Sequence, residues 1–395
     1  MMNGVLAGVR VLDFGRYIAG PYCATLLGDF GADVIRVEKI EGSEDRYLVP
    51  LAETGEGGLF LQMNRNKRSL TLDPMTEEGR EIVRKLVATA DVVVANLPPP
   101  TLKAMGLDYD SLKASKPDII LTTVSAFGAG GPYSHKVGFD GVGQAMSGSA
   151  YMSGDESGPR RSFAPWVDFG TALASAFGTL AALMSRRDTG QGQMVEGTLL
   201  RTAMTFTNSL LIEQALTQIN RVPTANRGQT SAPADILKTA DGWIMVQVIG
   251  QPLFRRWVKL IGEDHWLSDP RFKDDISRGD HGEIISARMA QWCAARTSAA
   301  ALAALEEARI PAGPVYMQQE ILDDPHVAAL GMLRPMAFPG LDGEAPIVES
   351  QVKLSATPGG LHARAPMLGE HTETILAELG YGAAAIAALR ARGVV

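Results

Sequence analysis

The residue of this sequence best placed to do chemistry is an aspartate that directly precedes a long apolar run. Asp168 stands before an uncharged segment at residues 169–185, which predicts a buried helix. An aspartate at a helix start is often only an N-cap, worth ~1 kcal/mol. The helix dipole and free amides there also keep a carboxylate anionic in apolar surroundings. Because an anionic, poorly hydrated carboxylate is a usable nucleophile, cap and nucleophile both stay open as interpretations.

A glycine-rich segment offers backbone amides for such a reaction. Residues 125–158 are dominated by Gly, Ser and Ala, with few helix formers, and predict one long loop. Loops of this length inside a compact protein are usually functional. Glycine backbone from residues 128–148 can approach a reacting carbonyl closely and present amides to an oxyanion.

Several familiar catalytic motifs are absent from the sequence. The six histidines show neither HExxH nor i, i+4 spacing, so no metal site is predicted. There is no GxSxG elbow and no GxxxxGK[ST] phosphate loop. Residues 15–20 join a predicted strand to a helix, as in a dinucleotide-binding βαβ unit, but the GxGxxG spacing is missing and Arg16 and Tyr17 fill the turn. A tight turn and a nucleotide-containing ligand held in another way remain as alternatives.

Length, composition and charge exclude several classes of protein. The chain has 395 residues, 46% of them hydrophobic and 21% charged, which is ordinary for globular proteins and excludes a disordered or fibrous chain. Its net charge is 37 − 44 = −7, and its longest basic block is residues 66–68. A nucleic-acid-binding protein is therefore not expected.

Cysteine usage and hydropathy predict a cytoplasmic protein. Cys23 and Cys293 lie far apart and form no CxxC pair, which fits a reducing compartment. No signal peptide is visible at the N-terminus. The uncharged segment 169–185 is shorter than the ~20 apolar residues that a bilayer requires, so no membrane association is predicted.

The predicted elements position Asp168 and the loops in an α/β fold. Strands are predicted at residues 9–14, 33–37, 91–95 and 118–124, with helices from Pro21 towards residue 30 and at 76–90. Alternation of apolar strands and helices implies a parallel, doubly wound sheet. After a polar boundary at 223–233, a strand at 243–248 and helices to about residue 309 predict a smaller α+β domain.

The sequence resembles the class III CoA-transferases, the formyl-CoA transferase-like family that also includes 2-methylacyl-CoA racemases. The likeness runs along nearly the whole chain and includes Asp168. Its motifs, in order, are LAGVRVLD at 6–13, AGP at 19–21, LGDFGADVIRVE at 27–38, NKRSL at 66–70, LD at 72–73, DVVVAN at 91–96, MGL at 105–107, GPY at 131–133, GQGQ at 190–193, TADGW at 239–243 and IPAGPV at 310–315. No single motif is specific, but this run in this order is.

The resemblance implies a Rossmann-like large domain built from residues 1–222 and 319–395, with a small domain at 223–318, in an interlocked homodimer. It implies that Asp168 attacks an acyl-CoA thioester and that CoA then opens the aspartyl anhydride to an aspartyl-CoA thioester, from which a carboxylic acid acceptor collects CoA. A covalent relay of this kind replaces one difficult exchange by easier steps. It needs no metal and no tightly bound cofactor, since acyl-CoA and the acceptor acid are both substrates.

The resemblance also implies which residues bind the substrates. Those expected to contact CoA are Tyr17, Ile18, Ala19, Lys39, Leu72, Asp73, Pro74, Met75, Asn96, Leu97, Pro98, Lys103, Lys136, Val137, Gly138 and Phe139. Gly250 and Gln251, in a shortened counterpart of the family's glycine loop, are expected to contact the acyl or acceptor group. From their type alone, Arg16, Tyr17, Arg160, Arg161 and Gln251 are candidates for recognising its carboxylate.

Three departures from the family's pattern bear on the substrate. Ala104 stands where an arginine is usual, Ile18 aligns with a glutamine, and the glycine loop is shorter. These differences argue against formate and oxalate as the acyl groups.

The racemases of the family carry a histidine where this chain has Phe139, which cannot carry a proton. CoA transfer is therefore the leading hypothesis. The alternatives are α-proton exchange by a racemase or epimerase, with His135 as substitute base, intramolecular CoA transfer, and a silent CoA-binding protein.

Overall fold

The computed structural model describes residues 4–395 and divides the chain into two compact units. Among the described residues, the first unit contains residues 4–147, 162–212 and 328–395, and the second contains 148–161 and 213–327. The predicted domain bounds at 222 and 318 thus lie ten and nine residues from the division of the chain at 212 and 327. Residues 1–3 of the predicted first domain lie outside the described residues.

Strands and helices alternate through most of the chain. The strands are β1 (Arg10–Asp13), β2 (Asp33–Glu38), β3 (Lys67–Thr71), β4 (Val92–Ala95), β5 (Ile120–Ser125), β6 (Met194–Thr198), β7 (Ala234–Lys238), β8 (Trp243–Gln247), β9 (Ala312–Pro314), β10 (Leu333–Ala337) and β11 (Glu344–Val348). The helices are α1 (Ala19–Asp29), α2 (Gly58–Met63), α3 (Glu77–Thr89), α4 (Pro99–Met105), α5 (Tyr109–Ser115), α6 (Asp140–Met146), α7 (Ser149–Met152), α8 (Trp166–Thr189), α9 (Leu199–Thr217), α10 (Gln251–Ile261), α11 (Asp275–Asp280), α12 (Gly282–Ala294), α13 (Ser298–Glu307), α14 (Gln318–Leu322), α15 (Pro325–Ala329), α16 (Thr372–Glu378) and α17 (Ala383–Ala391). Short 3-10 turns cover Glu44–Tyr47, Asp264–Ser268 and Pro270–Phe272.

The first unit is built on a six-stranded parallel sheet with the order β3-β2-β1-β4-β5-β6. Val11 pairs with Val34 on one side and with Val92 on the other, so β1 is the strand at which the order reverses. The predicted strands in this sheet are confirmed as β1, β2, β4 and β5, and their apolar side chains are buried. In such sheets, ligands bind at the carboxyl ends of the strands beside this reversal.

A cluster of charged side chains is buried beneath the carboxyl ends of β1 and β2. Arg36 lies 2.8 Å from Asp45, and Arg46 lies 2.5 Å from Glu38. Burial favours the neutral form of Glu38, but the two arginines outweigh it and lower the pKa of this carboxyl to about 2. We call this set the buried ion cluster; it consists of Asp13, Arg36, Glu38, Asp45, Arg46, Glu56 and Lys67.

Helix α8 confirms the predicted helix at residues 169–185 and extends it at both ends. Within residues 4–395 it is the one helix long and apolar enough to cross a bilayer by length and composition. A core helix packed on a sheet passes the same test, and α8 packs against α1, β5 and β6. Its face with Val167, Ala172 and Ala176 is buried, whereas Phe177 is 75% exposed.

The prediction of one uninterrupted loop at 125–158 is wrong, because α6 and α7 lie within it. Because glycine has a low helix propensity, the glycine-rich sequence did not indicate α6 as a helix. Here glycine instead allows close packing of α6 on α8. A Cβ atom added to Gly143 would lie 2.9 Å from a Val167 methyl carbon. The packing of α6 thus requires glycine at this position.

The second unit contains a three-stranded antiparallel sheet, β7-β8-β9, with α10 to α13. The strand predicted at 243–248 is confirmed as β8, and the predicted helices follow it. An aromatic core with Phe254, Trp257, Trp266 and Phe272 fills this unit. The strand and helix content is therefore that of an α+β unit.

Candidate active site

The N-terminus of α8 carries two neighbouring carboxylates. Asp168 is the third residue of the helix, and the residue before the helix, Pro165, has no side chain that caps it. The amides of Val167 and Asp168 donate to Oδ2 of Asp140, at 2.8 and 3.2 Å. The interpretation of Asp168 as the cap is therefore wrong, because Asp168 already lies inside the helix and Asp140 takes the free amides.

Helix α6 delivers Asp140 to this position. Asp140 is the first residue of α6 and is only 6% exposed, and Gln144, one turn later, donates to its second carboxylate oxygen at 2.5 Å. The lack of a side chain at Gly143 lets the two helices approach closely at Val167. A buried carboxylate with three hydrogen-bond donors is a fixed feature of this site.

Asp168 itself is only partly exposed, and no described residue donates a hydrogen bond to its carboxylate or forms an ion pair with it. Burial raises the pKa of Asp168 to about 7, and the charge of Asp140 adds to this effect. The expectation that the helix amides keep Asp168 anionic is therefore wrong, because those amides are bound to Asp140. The carboxyl titrates near neutral pH, as groups at functional sites often do.

The loop after β1 meets the loop before α6 beside these carboxylates. The ring of Tyr17 packs edge-on against Phe139, with 5.6 Å between the ring centroids, and Phe139 directly precedes Asp140. Tyr17 has a φ of 63°, which is uncommon for a residue other than glycine. Asn96, just after β4, fixes this loop by bonding the N–H of Arg16 at 2.7 Å and its carbonyl at 2.9 Å. Asn96 thus fixes the backbone of this loop, and Phe139 packs against its Tyr17 side chain.

A cavity of about 490 Å³ opens at the carboxyl ends of β1 to β4. Six of the predicted CoA-contacting residues line it, and they are Lys39, Leu72, Asp73, Pro74, Met75 and Leu97. Arg16 also lines it, although its residue type alone made it only a candidate for recognising the carboxylate of the acid substrate. The sequence did not single out Ile40, Glu41 and Glu44, which complete one wall. Nothing in their residue types distinguishes them from ordinary surface residues.

The other predicted contacts lie elsewhere. Ile18 and Ala19 are buried in apolar clusters, so their side chains are not free to contact CoA. Lys103, Lys136 and Val137 are exposed and do not line the cavity, and Lys136 lies over the ring of Tyr133. Pro98 precedes α4, and Gly138 lies beside Ala126 in the loop that ends at Phe139.

Gly250 and Gln251 lie in the second unit, where a buried arginine and an aspartate hold them. The N–H of Gly250 donates to both carboxylate oxygens of Asp275, at 3.0 and 2.9 Å. Arg278 donates to the side-chain oxygen of Gln251 at 2.7 Å and also pairs with Asp275. The backbone amide of Gly250 and the side-chain oxygen of Gln251 are thus already engaged within the unit. Arg160, a candidate for recognising the substrate carboxylate, pairs with Asp155 at 2.6 Å.

Within residues 4–395, no group of three or more His, Cys, Asp or Glu side chains is arranged to hold a metal ion. His135, the candidate substitute base, is exposed. Cys23 and Cys293 are free thiols in the two cores, and burial raises their pKa to about 12 and about 11. The thiols are therefore poor nucleophiles.

Comparison with known proteins identifies the family. The family model described as CoA-transferase family III matches residues 6–372. Succinyl-CoA--D-citramalate CoA-transferase of Chloroflexus aurantiacus is 36% identical, with 95% of this chain and 94% of the relative covered. Succinyl-CoA:mesaconate CoA-transferase of Haloarcula hispanica is 34% identical, with 96% and 97% covered.

A solved structure agrees with these relatives. The crystal structure of a CAIB/BAIF family protein from Brucella suis is 32% identical, with a TM-score of 0.82 over 96% of this chain and all of that one. The matched region thus spans the parallel sheet, helices α6 and α8 and the second unit. The chain belongs to CoA-transferase family III and is a CoA-transferase.

Proposed function

We propose that Asp168 is the nucleophile through which this CoA-transferase moves CoA from an acyl-CoA to a carboxylic acid. The observation that carries the proposal is the partly buried carboxylate at the start of α8, which has no partner among the described residues and a pKa of about 7. A carboxylate held by a salt bridge would be a poorer nucleophile, whereas this one is poorly solvated and unpaired.

The proposed reaction balances without a further reactant. An oxygen of Asp168 attacks the thioester carbonyl, a C–O bond forms, the C–S bond breaks and CoA leaves as a thiolate. The thiolate then attacks the aspartyl carbonyl of the mixed anhydride, releasing the donor acid and forming an aspartyl-CoA thioester. The acceptor carboxylate repeats these two steps in reverse order and restores Asp168. Asp140 stays outside the covalent steps and holds the first turn of α8 in place.

The cavity at the carboxyl ends of β1 to β4 supports the proposal by offering a binding site for CoA. Its volume of about 490 Å³ is in the range of small-molecule sites, and it lies at the strand ends where such sheets bind nucleotides. We propose that its wall from Leu72 to Met75 and Lys39 contact CoA. Tyr17 and Phe139 then line the way towards Asp168, since they join the loop at the cavity to Asp140.

The names of the two relatives support a dicarboxylic substrate pair. Both are named as enzymes that use succinyl-CoA, with D-citramalate or mesaconate as the second acid. We propose succinyl-CoA as donor and a five-carbon dicarboxylic acid as acceptor. The absence of the family's usual glutamine at Ile18 supports this choice over formyl-CoA and oxalate.

The proposal also covers assembly and location. A Rossmann-like large domain with the small domain inserted, in an interlocked homodimer, is supported by the strand order and by apolar side chains left exposed on α8 and α9, which include Phe177, Phe206 and Leu216. Burying such a face in a second copy would remove it from water. We further propose a cytoplasmic location, which the two free cysteines support.

Mass spectrometry tests the proposed function directly. The protein is incubated with succinyl-CoA, or with formyl-CoA for comparison, and quenched with and without hydroxylamine or borohydride. A CoA-sized or hydroxamate adduct on the peptide with Asp168 is expected. Exchange of the α-proton in deuterated water without any adduct would contradict transfer and favour a racemase.

The rate should depend on pH through Asp168. Because attack needs the ionised carboxylate and its pKa is about 7, kcat/KM should rise about tenfold per pH unit below 7 and level off above it. Asp140→Asn removes the nearby charge, while an asparagine oxygen still accepts the amides of α8. The apparent pKa should therefore fall below 7, and kcat/KM at pH 6 should rise severalfold. Asp110→Asn, an exposed change on α5, is the control, and identical profiles for all three proteins would contradict the assignment.

Glu44, an acidic residue in the wall of the cavity, should compete with the phosphates of CoA for Lys39. Lys39 pairs with Glu44, and this pair must open before Lys39 contacts a phosphate. Both side chains are about half exposed, so the pair is worth about 1 kcal/mol or less. Glu44→Gln should therefore lower the Kd of CoA about two- to fivefold in calorimetry. Glu81→Gln breaks the comparable Lys85–Glu81 pair on α3 and should change nothing. An unchanged or weaker affinity in Glu44→Gln would refute the competition.

A further inference from the structure

Arg16 has a guanidinium group that is only half used within the protein. Its Nη1 donates to three carbonyl oxygens at the strand ends, those of Phe14, Gly15 and Val37, at 3.2, 2.8 and 3.4 Å. Across residues 4–395, Nε and Nη2 of Arg16 make no hydrogen bond, and no carboxylate lies within 4 Å of the group. One edge of the guanidinium is thus anchored and the other is left for a ligand.

Carboxylates of the buried ion cluster act on the charge of Arg16, but they are already engaged with other cations. Glu38 and Asp45 of the buried ion cluster pair with Arg46 and Arg36. Burial and the charge of Arg36 together lower the pKa of Arg16. The negative charges around Arg16 therefore do not fully balance its positive charge. A bound anion would supply the missing compensation.

Arg16 is also held in place for such a ligand. The two hydrogen bonds from Asn96 fix its backbone, and the three carbonyls fix its Nη1. Its side chain lines the cavity with Lys39, whereas the next residue, Tyr17, packs on Phe139 beside Asp140. The two neighbouring side chains therefore lie in different places. Tyr17 lies beside the carboxylates of α6 and α8, whereas Arg16 lines the cavity.

Resting on the proposed CoA transfer, we infer that Arg16 binds a phosphate group of CoA through its Nε and Nη2 edge. A planar fork of two N–H donors matches the geometry of phosphate oxygens, which a lysine does not. The sequence alone made Arg16 a candidate for the carboxylate of the acid substrate. Its place in the cavity, with Lys39 and the wall from Leu72 to Met75, assigns it to the nucleotide end of CoA instead.

Calorimetry on the full chain with CoA and with dephospho-CoA tests the inference, alongside the KM of the acceptor acid. Arg16→Gln should weaken CoA binding about ten- to hundredfold, the range for hydrogen bonds between charged groups. Arg16→Lys keeps a cation that can reach the carbonyls but lacks the fork, so it should weaken binding less. It carries the test if the glutamine variant fails to fold. Arg84→Gln, an exposed change on α3, is the matched control.

The outcomes distinguish the 3′-phosphate of CoA from its diphosphate, and both from the carboxylate of the acid substrate. A loss confined to CoA assigns the 3′-phosphate, and an equal loss with dephospho-CoA assigns the diphosphate; both support the inference. An unchanged Kd for CoA with a raised KM for the acceptor acid would overturn it. Because binding is measured without turnover, wild-type protein that binds CoA but forms no Asp168 adduct would reject the proposed mechanism and leave the test of Arg16 valid.

Discussion

Asp168→Asn is expected to lower kcat for CoA transfer by about four orders of magnitude or more. The amide keeps the size and shape of the carboxyl, but it cannot form the anhydride, so the covalent relay is lost rather than slowed. Asp168→Ala should be equally inactive. Initial rates with succinyl-CoA and a dicarboxylic acid, together with mass spectrometry of the quenched protein, measure both the loss of turnover and the loss of the adduct.

Binding of CoA separates a missing nucleophile from a damaged fold. The cavity at the strand ends does not include Asp168, so both variants should bind CoA with the wild-type Kd. Asp110→Asn should keep full activity, since this residue is exposed on α5. Substantial turnover in Asp168→Asn, or an adduct on another peptide, would refute the assignment of the nucleophile.

The second large effect is a gain in stability on removing the same carboxyl. Its pKa rises from 3.8 to about 7 on folding, chiefly through burial. Below pH 4 the group is protonated in both the folded and the unfolded chain and contributes nothing. Between pH 4 and 7 only the unfolded chain ionises, so stability falls as the pH rises, by about 4 kcal/mol at most. Asp168→Asn should therefore raise the free energy of unfolding by about 2 to 4 kcal/mol at pH 8.

Denaturant unfolding at pH 4.5 and pH 8 measures this effect. The gain of Asp168→Asn over wild type should be small at pH 4.5 and full at pH 8. Because Asp140 and not Asp168 caps α8, Asp168→Ala should show a gain of the same sign. A loss of stability in the alanine variant at pH 8 would mean that Asp168 supports the helix after all.

The sheet could be predicted where its strands are apolar, and not elsewhere. The β-branched runs of β1, β2, β4 and β5 are buried on both faces, so composition alone indicates them. Strand β3 contains Lys67 and Arg68, which resemble surface residues in the sequence. Their partners, Asp13 and Asp33, come from earlier strands, and only the folded sheet reveals the pairing.

The candidate site was predictable in its nucleophile but not in the groups around it. Asp168 stood out because an isolated acid precedes a long apolar helix. Asp140 did not, because its partners are amides 27 and 28 positions later and its own helix is rich in glycine. For Arg16, residue type suggested an anion-binding group, but only the folded loop shows which atoms remain unpaired.

The buried ion cluster limits how this sequence can diverge. Removing one charge from such a set leaves another charge unpaired in the interior, at a cost of about 3 to 5 kcal/mol, while replacing both partners by apolar residues can be nearly neutral. Arg36 and Asp45, or Arg46 and Glu38, are therefore tied to each other as pairs. Selection should therefore remove single substitutions in the cluster. During evolution, the two residues of a pair should either change together or stay unchanged.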